Sequence, residues 1–257
     1  MDYTNFKNKI DKLTGINLDS YKERQMKRRI ESLIRKNNYQ NFDDYFRALH
    51  DDEFLYKEFI NYLTINVSEF YRSSEQFKVL ENEIIPLILK TTKYPRIWSA
   101  ACSTGEEPYT LAMILNKFIP LKNIKIIASD IDNGSIEKAI LGVYSKKSIG
   151  KLPKEYIGKH FIVNNEEYSL SNEIKRCVEF KQLDLLKDDY PVKCDLIVCR
   201  NVLIYFTEKA KSEIYMKFND SMNDTGILFV GSTEQILRSG KYKLKQFKMF
   251  FYKKEES

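Results

Sequence analysis

A single glycine followed at once by two carboxylates is the most distinctive chemical feature of the chain. Gly105 closes the turn that follows an apolar run at residues 97–101, and Glu106 and Glu107 open a segment with helical periodicity. A strand, a tight turn and a helix in this order form a nucleotide-type site in doubly wound α/β sheets. The turn therefore predicts a small-molecule site at the carboxyl end of a strand.

The residues of this turn do not suit a phosphate ligand. Dinucleotide-binding turns need several glycines so that the backbone can approach a pyrophosphate, but Ala101 and Ser103 stand where the first two would be. Glu106 and Glu107 would also repel a diphosphate. Because an adenosyl ligand with a positive sulfonium and no phosphate suits these acids, the turn predicts S-adenosylmethionine.

Aspartates follow two further apolar runs. Asp130 ends the run that comes after Gly105, at a position where Rossmann-like folds use a carboxylate to accept hydrogen bonds from ribose hydroxyls. A helix cap is the alternative role, and we assign that role to Asp132. Asp184 follows the run at residues 178–180, at a position that commonly flanks an adenine ring, and a turn aspartate is an equal alternative.

A second strong signal lies where the apolar run at residues 196–199 ends. Arg200 and Asn201 bring many hydrogen-bonding groups to the strand edge where such sheets bind ligands, and Tyr205 follows. Methyltransferases that act on base amines usually carry an Asn/Asp-Pro-Pro-aromatic element here, and its absence disfavours a base-modifying enzyme. Cys199 could be a nucleophile, but a thiol ending an apolar strand is more often a small core residue.

The elements that must position these residues fall into two groups. Residues 1 to about 65 show only helical spacing of apolar side chains, with Ser20 as the predicted N-cap of the second helix. From Pro95 onward apolar runs alternate with helical segments, which predicts a mostly parallel sheet. We predict a helical domain at 1–70, a sheet domain at 71–257, an inserted subdomain at about 143–176 and an antiparallel edge hairpin within 242–252.

The composition limits the kinds of catalysis that the protein could perform and indicates where in the cell it is found. The chain has 257 residues, a net charge of +6, two histidines and four cysteines. The histidines lie outside every motif and the cysteines lack zinc spacing, so we expect neither a metal nor Ser–His–Asp hydrolysis. Neither a signal sequence nor a membrane-spanning apolar run is visible, and we expect a cytoplasmic protein without membrane insertion.

Taken together, these motifs resemble the chemotaxis receptor glutamate O-methyltransferases, the CheR family. The resemblance covers nearly the whole chain and is carried by five stretches at residues 63–72, 98–109, 128–132, 199–206 and 229–234. It implies a doubly wound, Rossmann-like methyltransferase sheet preceded by a small all-α domain and carrying a small inserted β-subdomain. Asp184 and Ser68 depart from the family pattern, but both keep hydrogen-bonding capacity.

The resemblance also implies site residues. Arg72 and Arg200 are candidates to orient the cofactor or the substrate carboxylate, because a guanidinium fork matches a carboxylate. Tyr205 would lie near the transferred methyl, which completes the candidate catalytic set. The cofactor-binding candidates are Asn66, Ser68, Arg72, Ala100, Gly105, Glu106, Glu107, Asp130, Asp184, Leu185, Cys199, Arg200 and Asn201.

The implied activity is transfer of a methyl group from S-adenosylmethionine to glutamates of methyl-accepting chemotaxis receptors, giving methyl esters and S-adenosylhomocysteine. Arg28, Arg29 and Arg35, in a stretch with seven basic residues, are expected to dock an acidic helical receptor segment, with a solvated helix face as the alternative. We expect a monomer without a nucleic-acid partner. An RNA or DNA methyltransferase and a catalytically silent cofactor-binding module remain alternative classes.

Overall fold

The computed structural model describes residues 1–65 and 68–255, which form two compact units. The first unit comprises residues 1–65 together with Val202–Glu213. The second comprises residues 68–201 together with residues 214–255. A segment far along the chain is thus grouped with the N-terminal helices. The spacing of apolar residues along the sequence does not predict this grouping.

The N-terminal part of the first unit is entirely helical, as predicted. Its helices are α1 (Tyr3–Thr14), α2 (Glu23–Lys36), α3 (Phe42–Asp51) and α4 (Glu53–Thr64). Side chains of Asn41 and Asp52 cap α3 and α4 by accepting backbone N–H bonds, which satisfies donors that the first helical turn leaves free. Phe6, Ile30 and Phe59 are fully buried between the helices, so tertiary packing holds these short helices in place.

The predicted cap of α2 is wrong. Ser20 ends a short 3₁₀ turn, Leu18–Ser20, and α2 starts only after Lys22, which makes no side-chain capping bond. The backbone N–H of Lys22 donates instead to the carbonyl of Tyr205, at 2.8 Å. The entry to α2 is therefore held by backbone contact with the distant segment of the same unit.

The second unit is built on a seven-stranded sheet of order β6-β2-β1-β7-β8-β10-β9, in which β10 runs opposite to the other six strands. The mostly parallel sheet and the hairpin are confirmed. In register, Ala100 pairs with Ser129 and with Cys199, so the strand ends that carry the site share one edge. The strands are β1 (Ile97–Ala100), β2 (Ile126–Asp130), β6 (Val178–Gln182), β7 (Cys194–Cys199), β8 (Met222–Val230), β9 (Leu244–Lys248) and β10 (Phe251–Lys254).

The inserted subdomain is also confirmed. It holds a separate antiparallel sheet of order β3-β5-β4, formed by β3 (Val143–Ser145), β4 (Phe161–Asn164) and β5 (Glu167–Leu170). Its short helices are α9 (Lys146–Ile149), α10 (Lys154–His160) and α11 (Asn172–Lys175).

Helices precede the first strand of the main sheet and connect the later ones. They are α5 (Ser74–Val79), a π-helical turn (Leu80–Ile84), α6 (Ile85–Leu89), α7 (Glu106–Leu115), α8 (Asn133–Leu141) and α12 (Glu208–Ser221), which begins in the first unit and ends in the second. Across residues 1–65 and 68–255, no helix has the length and apolar character to traverse a bilayer.

Candidate active site

The turn after β1 needs its one glycine for two reasons. Gly105 has a φ of 91°, and a Cβ built on it would lie 2.8 Å from the Cβ of Ala139 in α8. Ala101 and Ser103 also have positive φ angles, 58° and 50°. The turn thus places non-glycine residues in a conformation that favours glycine, a cost that its surroundings must offset.

Asp130 holds this turn from the end of β2. Its Oδ2 accepts the backbone N–H of Ser103 at 2.7 Å, and its Oδ1 accepts that of Asp132 at 3.0 Å. Asp130 is only 6% exposed, and burial raises the pKa of its carboxyl to about 6. A carboxylate offers about four acceptor sites, so Asp130 has capacity left for ligand hydroxyls. Asp132 caps α8 through Gly134 and Ser135, which confirms its predicted role.

The first of the two glutamates faces the turn and the start of the second unit. The hydroxyl of Thr104 donates to Glu106 Oε2 at 2.6 Å, and the side chain of Ser68 also hydrogen-bonds this carboxylate. Burial nevertheless raises the pKa of Glu106 above its ordinary value. A buried acid at this position favours a cationic ligand nearby, because a positive charge would offset the cost of ionisation.

The second glutamate is engaged by the protein itself. Glu107 Oε2 lies 3.2 Å from Nη1 of Arg200, and Glu107 Oε1 accepts the hydroxyl of Ser99 at 2.9 Å. Burial raises the pKa of Glu107, while Arg200 counteracts that shift. The arrangement assigns Glu107 to an internal ion pair that joins the ends of α7 and β7.

Arg200 is locked between aromatic rings. Its guanidinium carbon lies 4.9 Å from the ring centre of Phe77 and 4.8 Å from that of Phe229, a cation–π sandwich. Nη2 donates to the carbonyl of Arg72 at 2.8 Å and to Gln76 Oε1 at 3.0 Å. The side chain is only 2% exposed and holds Glu107, Gln76 and the Arg72 carbonyl in place.

One donor of Arg200 is left over. Within residues 1–65 and 68–255, its buried Nε has no hydrogen-bond partner. Buried donors are normally paired, so an orphan at the carboxyl end of β7 is suited to an acceptor on a ligand. S-adenosylmethionine carries such an acceptor in its carboxylate, and the donors and acids present here therefore fit it.

Glu234 is a site residue that the sequence interpretation missed. Its Oε2 accepts the backbone N–H of Asn201 at 2.5 Å and that of Gly231 at 3.0 Å, and Glu234 is only 5% exposed. A Cβ built on Gly231 would lie 2.3 Å from the same oxygen. Asn201 has a φ of 62°, so the carboxylate stabilises a strained backbone directly after Arg200.

Changing Glu234 to alanine is expected to leave two buried N–H groups unpaired. The free energy of unfolding should fall by roughly 1–3 kcal/mol for each unpaired donor, and Glu234→Gln should lose less because it keeps one acceptor oxygen. Urea denaturation measures both variants. Glu166→Ala, at an exposed turn, is the control. Equal stability of Glu234→Ala and the wild-type protein would show that the carboxylate does not hold Asn201.

The other cofactor candidates occupy varied environments. Asp184 Oδ1 accepts the backbone N–H of Leu186 at 2.8 Å, the geometry of the turn aspartate that was its alternative role. Leu185 is buried, and its carbonyl accepts the hydroxyl of Tyr190.

Cys199 is fully buried and burial raises the pKa of its thiol well above the ordinary value, which disfavours a thiolate nucleophile. Asn66 lies outside the described residues.

The receptor-docking candidates and Tyr205 belong to the first unit. Arg28 and Arg35 are exposed, whereas Arg29 donates from Nη2 to the carbonyl of Tyr62 at 2.5 Å and packs over that ring. A groove of about 930 Å³ runs along α2. It is lined by Lys22, Arg24, Gln25, Arg28, Arg29, Glu31, Ser32, Arg35 and Tyr62.

A local signal existed for only one of the missed residues, Glu234. An acid three residues after a glycine, at the end of β8, was visible as Gly231 and Glu234. Gln76 and the two rings around Arg200 left no local signal, because they lie in ordinary amphipathic or apolar stretches.

A mostly parallel sheet of this order, with a single-glycine turn opening α7 and a carboxylate ending β2, defines a doubly wound α/β domain with a nucleotide-type site at its strand ends. Comparison with protein families identifies the kind of domain. The family model described as CheR methyltransferase, SAM binding domain, matches residues 66–251, and the CheR methyltransferase all-alpha domain matches residues 1–64. The chain belongs to the CheR methyltransferase family.

Individual relatives are similar over almost the full length. A protein of Listeria innocua named chemotaxis protein methyltransferase is 41% identical over 252 residues, which cover 98% of this chain and 96% of the relative. A protein of the same name from Listeria monocytogenes is 39% identical over the same shares. The Escherichia coli protein of that name is 32% identical, over 86% of this chain and 79% of its own length.

Proposed function

We propose that this protein transfers a methyl group from S-adenosylmethionine to glutamate side chains in the cytoplasmic helical domain of methyl-accepting chemotaxis receptors. Its relatives are named chemotaxis protein methyltransferases, which supports the receptor as the partner. The products are a glutamate methyl ester and S-adenosylhomocysteine. The protein would act as a monomer in the cytoplasm.

The observation that carries this proposal is the state of the buried acids at the sheet edge. Glu106, Glu107 and Asp130 are all bonded within the protein, and burial raises the pKa of each. Glu107 is paired with Arg200, while Glu106 and Asp130 hold the turn, so Glu106 and Asp130 are the acids that suit an adenosyl ligand with a positive sulfonium. Neither histidine belongs to the motifs that form this edge, because His50 lies in α3 and His160 in the inserted subdomain.

A glutamate nucleophile agrees with such a site. Its ordinary pKa is about 4.3, so it is ionised at neutral pH and needs no general base. The carboxylate oxygen forms a bond to the methyl carbon, the methyl–sulfur bond breaks, and its electron pair stays on sulfur. S-adenosylmethionine supplies the electrophilic methyl; positioning supplies most of the acceleration, worth up to about 7–11 kcal/mol in favourable systems.

The protein side chains divide these tasks. Asp130 and Glu106 would bind the adenosyl ligand, with Gly105 allowing the turn to close on α8. Arg200 would hold Glu107 and the Arg72 carbonyl in place, and its Nε would donate to an acceptor on the ligand. Arg72 is proposed as a second guanidinium that orients a carboxylate. Tyr205 is proposed to lie near the transferred methyl.

Reversing charge in the α2 groove should weaken receptor methylation. The double variant Arg28→Glu and Arg35→Glu is expected to raise the KM for receptor, more strongly at low salt, because an acidic partner segment would be repelled. The affinity for S-adenosylmethionine should not change. Arg29 is avoided because it supports Tyr62. Lys125→Glu with Lys245→Glu, two exposed sites in the second unit, is a control of equal charge. Equal KM values for the two double variants would contradict groove docking.

The decisive experiment is transfer of radiolabelled methyl to receptor-bearing membranes, together with calorimetry for S-adenosylmethionine. Base-labile label on glutamate is the expected result. Cofactor binding without transfer would instead indicate a silent binding module. Steeply salt-dependent capture of RNA or DNA, with label on nucleic acid, would indicate a nucleic-acid methyltransferase. Calorimetry without heat for both cofactor and product would refute all three.

A further inference from the structure

The segment that carries Tyr205 is tied to the N-terminal helices by paired backbone bonds. The N–H of Lys22 donates to the carbonyl of Tyr205, and the N–H of Thr207 donates to the carbonyl of Ser20, each at 2.8 Å. These bonds flank an antiparallel bridge between Tyr21 and Phe206. Two short stretches far apart in sequence therefore form one local strand-like contact within the first unit.

An aromatic pair closes the same contact. The rings of Tyr21 and Phe206 lie 4.7 Å apart between centres, at an angle of 36°. Phe206 is only 4% exposed and Leu203 is fully buried, while Tyr205 between them is half-buried. Aromatic pairs at this spacing contribute about 0.5–1.5 kcal/mol beyond the area that they bury. The contact thus anchors the backbone on both sides of Tyr205.

We infer that Tyr21 is a positioning residue for methyl transfer, because its pairing with Phe206 fixes the backbone that presents Tyr205. This inference rests on the proposed function, in which Tyr205 lies near the transferred methyl. Small displacements of a reacting or orienting group, of about 1 Å, can reduce rates about 100-fold. A loosened Tyr205 segment should therefore slow transfer without affecting the cofactor residues of the second unit.

The anchor adjoins the basic groove. Lys22, whose N–H holds Tyr205, also lines the groove along α2. A receptor segment seated there would contact the same residue that fixes the Tyr205 backbone. The start of α2 would thus contribute both to docking of the substrate and to the position of Tyr205.

The test compares three variants of the full chain. Tyr21→Ala removes the ring pair, Tyr21→Phe keeps it, and Phe54→Ala removes an aromatic ring that is 80% exposed in the same unit. We expect Tyr21→Ala to lower kcat for receptor methylation about 10- to 100-fold. Its calorimetric affinity for S-adenosylmethionine should equal that of the wild-type protein. Tyr21→Phe and Phe54→Ala should keep kcat within about twofold of wild type, since neither opens the contact.

Hydrogen exchange provides a readout that does not depend on turnover. The amides of Lys22 and Thr207 should exchange faster in Tyr21→Ala, and at the wild-type rate in Tyr21→Phe. If Tyr21→Ala fails to fold, Phe206→Leu, which keeps apolar volume but no ring pair, takes its place. Wild-type kcat or wild-type exchange in the ring-deleting variant would overturn the inference. Absence of label transfer by the wild-type protein would instead overturn the proposed function, so the two failures are distinguishable.

Discussion

Replacing Arg200 by leucine is expected to lower the free energy of unfolding by about 3–5 kcal/mol, the usual effect of removing one partner from a buried ion pair. Leucine would still fill apolar space between Phe77 and Phe229. It would leave the Glu107 carboxylate without its counter-ion and Gln76 without its donor. Affinity for S-adenosylmethionine should fall as well, because the Arg72 backbone loses its hydrogen bond.

Urea denaturation with a double-mutant cycle measures this effect. Adding Glu107→Gln to Arg200→Leu should recover part of the lost stability, because the second change removes the unpaired charge. Lys181→Leu, which breaks the exposed pair with Glu179 in the same sheet, is the matched control and should have a far smaller effect. Additive effects of the Arg200 and Glu107 changes would show that the two side chains are not coupled.

Changing Asp130 to asparagine should weaken S-adenosylmethionine binding about 10- to 100-fold, the range for losing a hydrogen bond to a charged group. An asparagine has one acceptor oxygen, so it cannot both hold the Ser103 and Asp132 amides and accept from ribose hydroxyls. Isothermal calorimetry measures the affinity. Asp189→Asn, at an exposed loop acid, is the control and should bind like wild type.

The same carboxyl should make binding depend on pH. Burial raises the pKa of Asp130 to about 6 in the free protein, and donors on a ligand would lower it again in the complex. Affinity should therefore be constant above pH 6 and fall below it, by at most about tenfold per pH unit. Asp130→Asn should flatten this profile. A wild-type profile that is flat between pH 5 and 7 would contradict a ligand on ionised Asp130.

Lowering the pH should affect folding stability, through Asp130, in the opposite direction to ligand affinity. Its folded pKa, about 6, lies above the ordinary value of 3.8, so the ionised form costs folding free energy above pH 6. That cost diminishes as pH falls from about 6 towards 3.8. Weaker binding in this window therefore cannot come from acid unfolding through Asp130, and a melting curve at each pH separates the two effects.

Local patterns predicted much of the fold correctly. The distinction between Asp130 as a strand-end residue and Asp132 as a cap was visible because each role depends on position relative to one strand and one helix. The hairpin and the inserted subdomain were visible as interruptions of a strand–helix alternation. The cap at Ser20 was misassigned because the true contact of that turn, with Tyr205, comes from far along the chain.

By itself, the order of residues determined the class of sheet, the turn at Gly105 and the set of acids beside it, since apolar periodicity and turn chemistry act over a few residues. Only the tertiary structure decided that Arg200 is enclosed by two rings and Gln76, that Glu234 supports Asn201, and that Tyr205 is anchored to the entry of α2. Each of these contacts joins residues at least 29 positions apart. Such pairings depend on the path of the whole chain. No local sequence pattern links the side chains that it brings together.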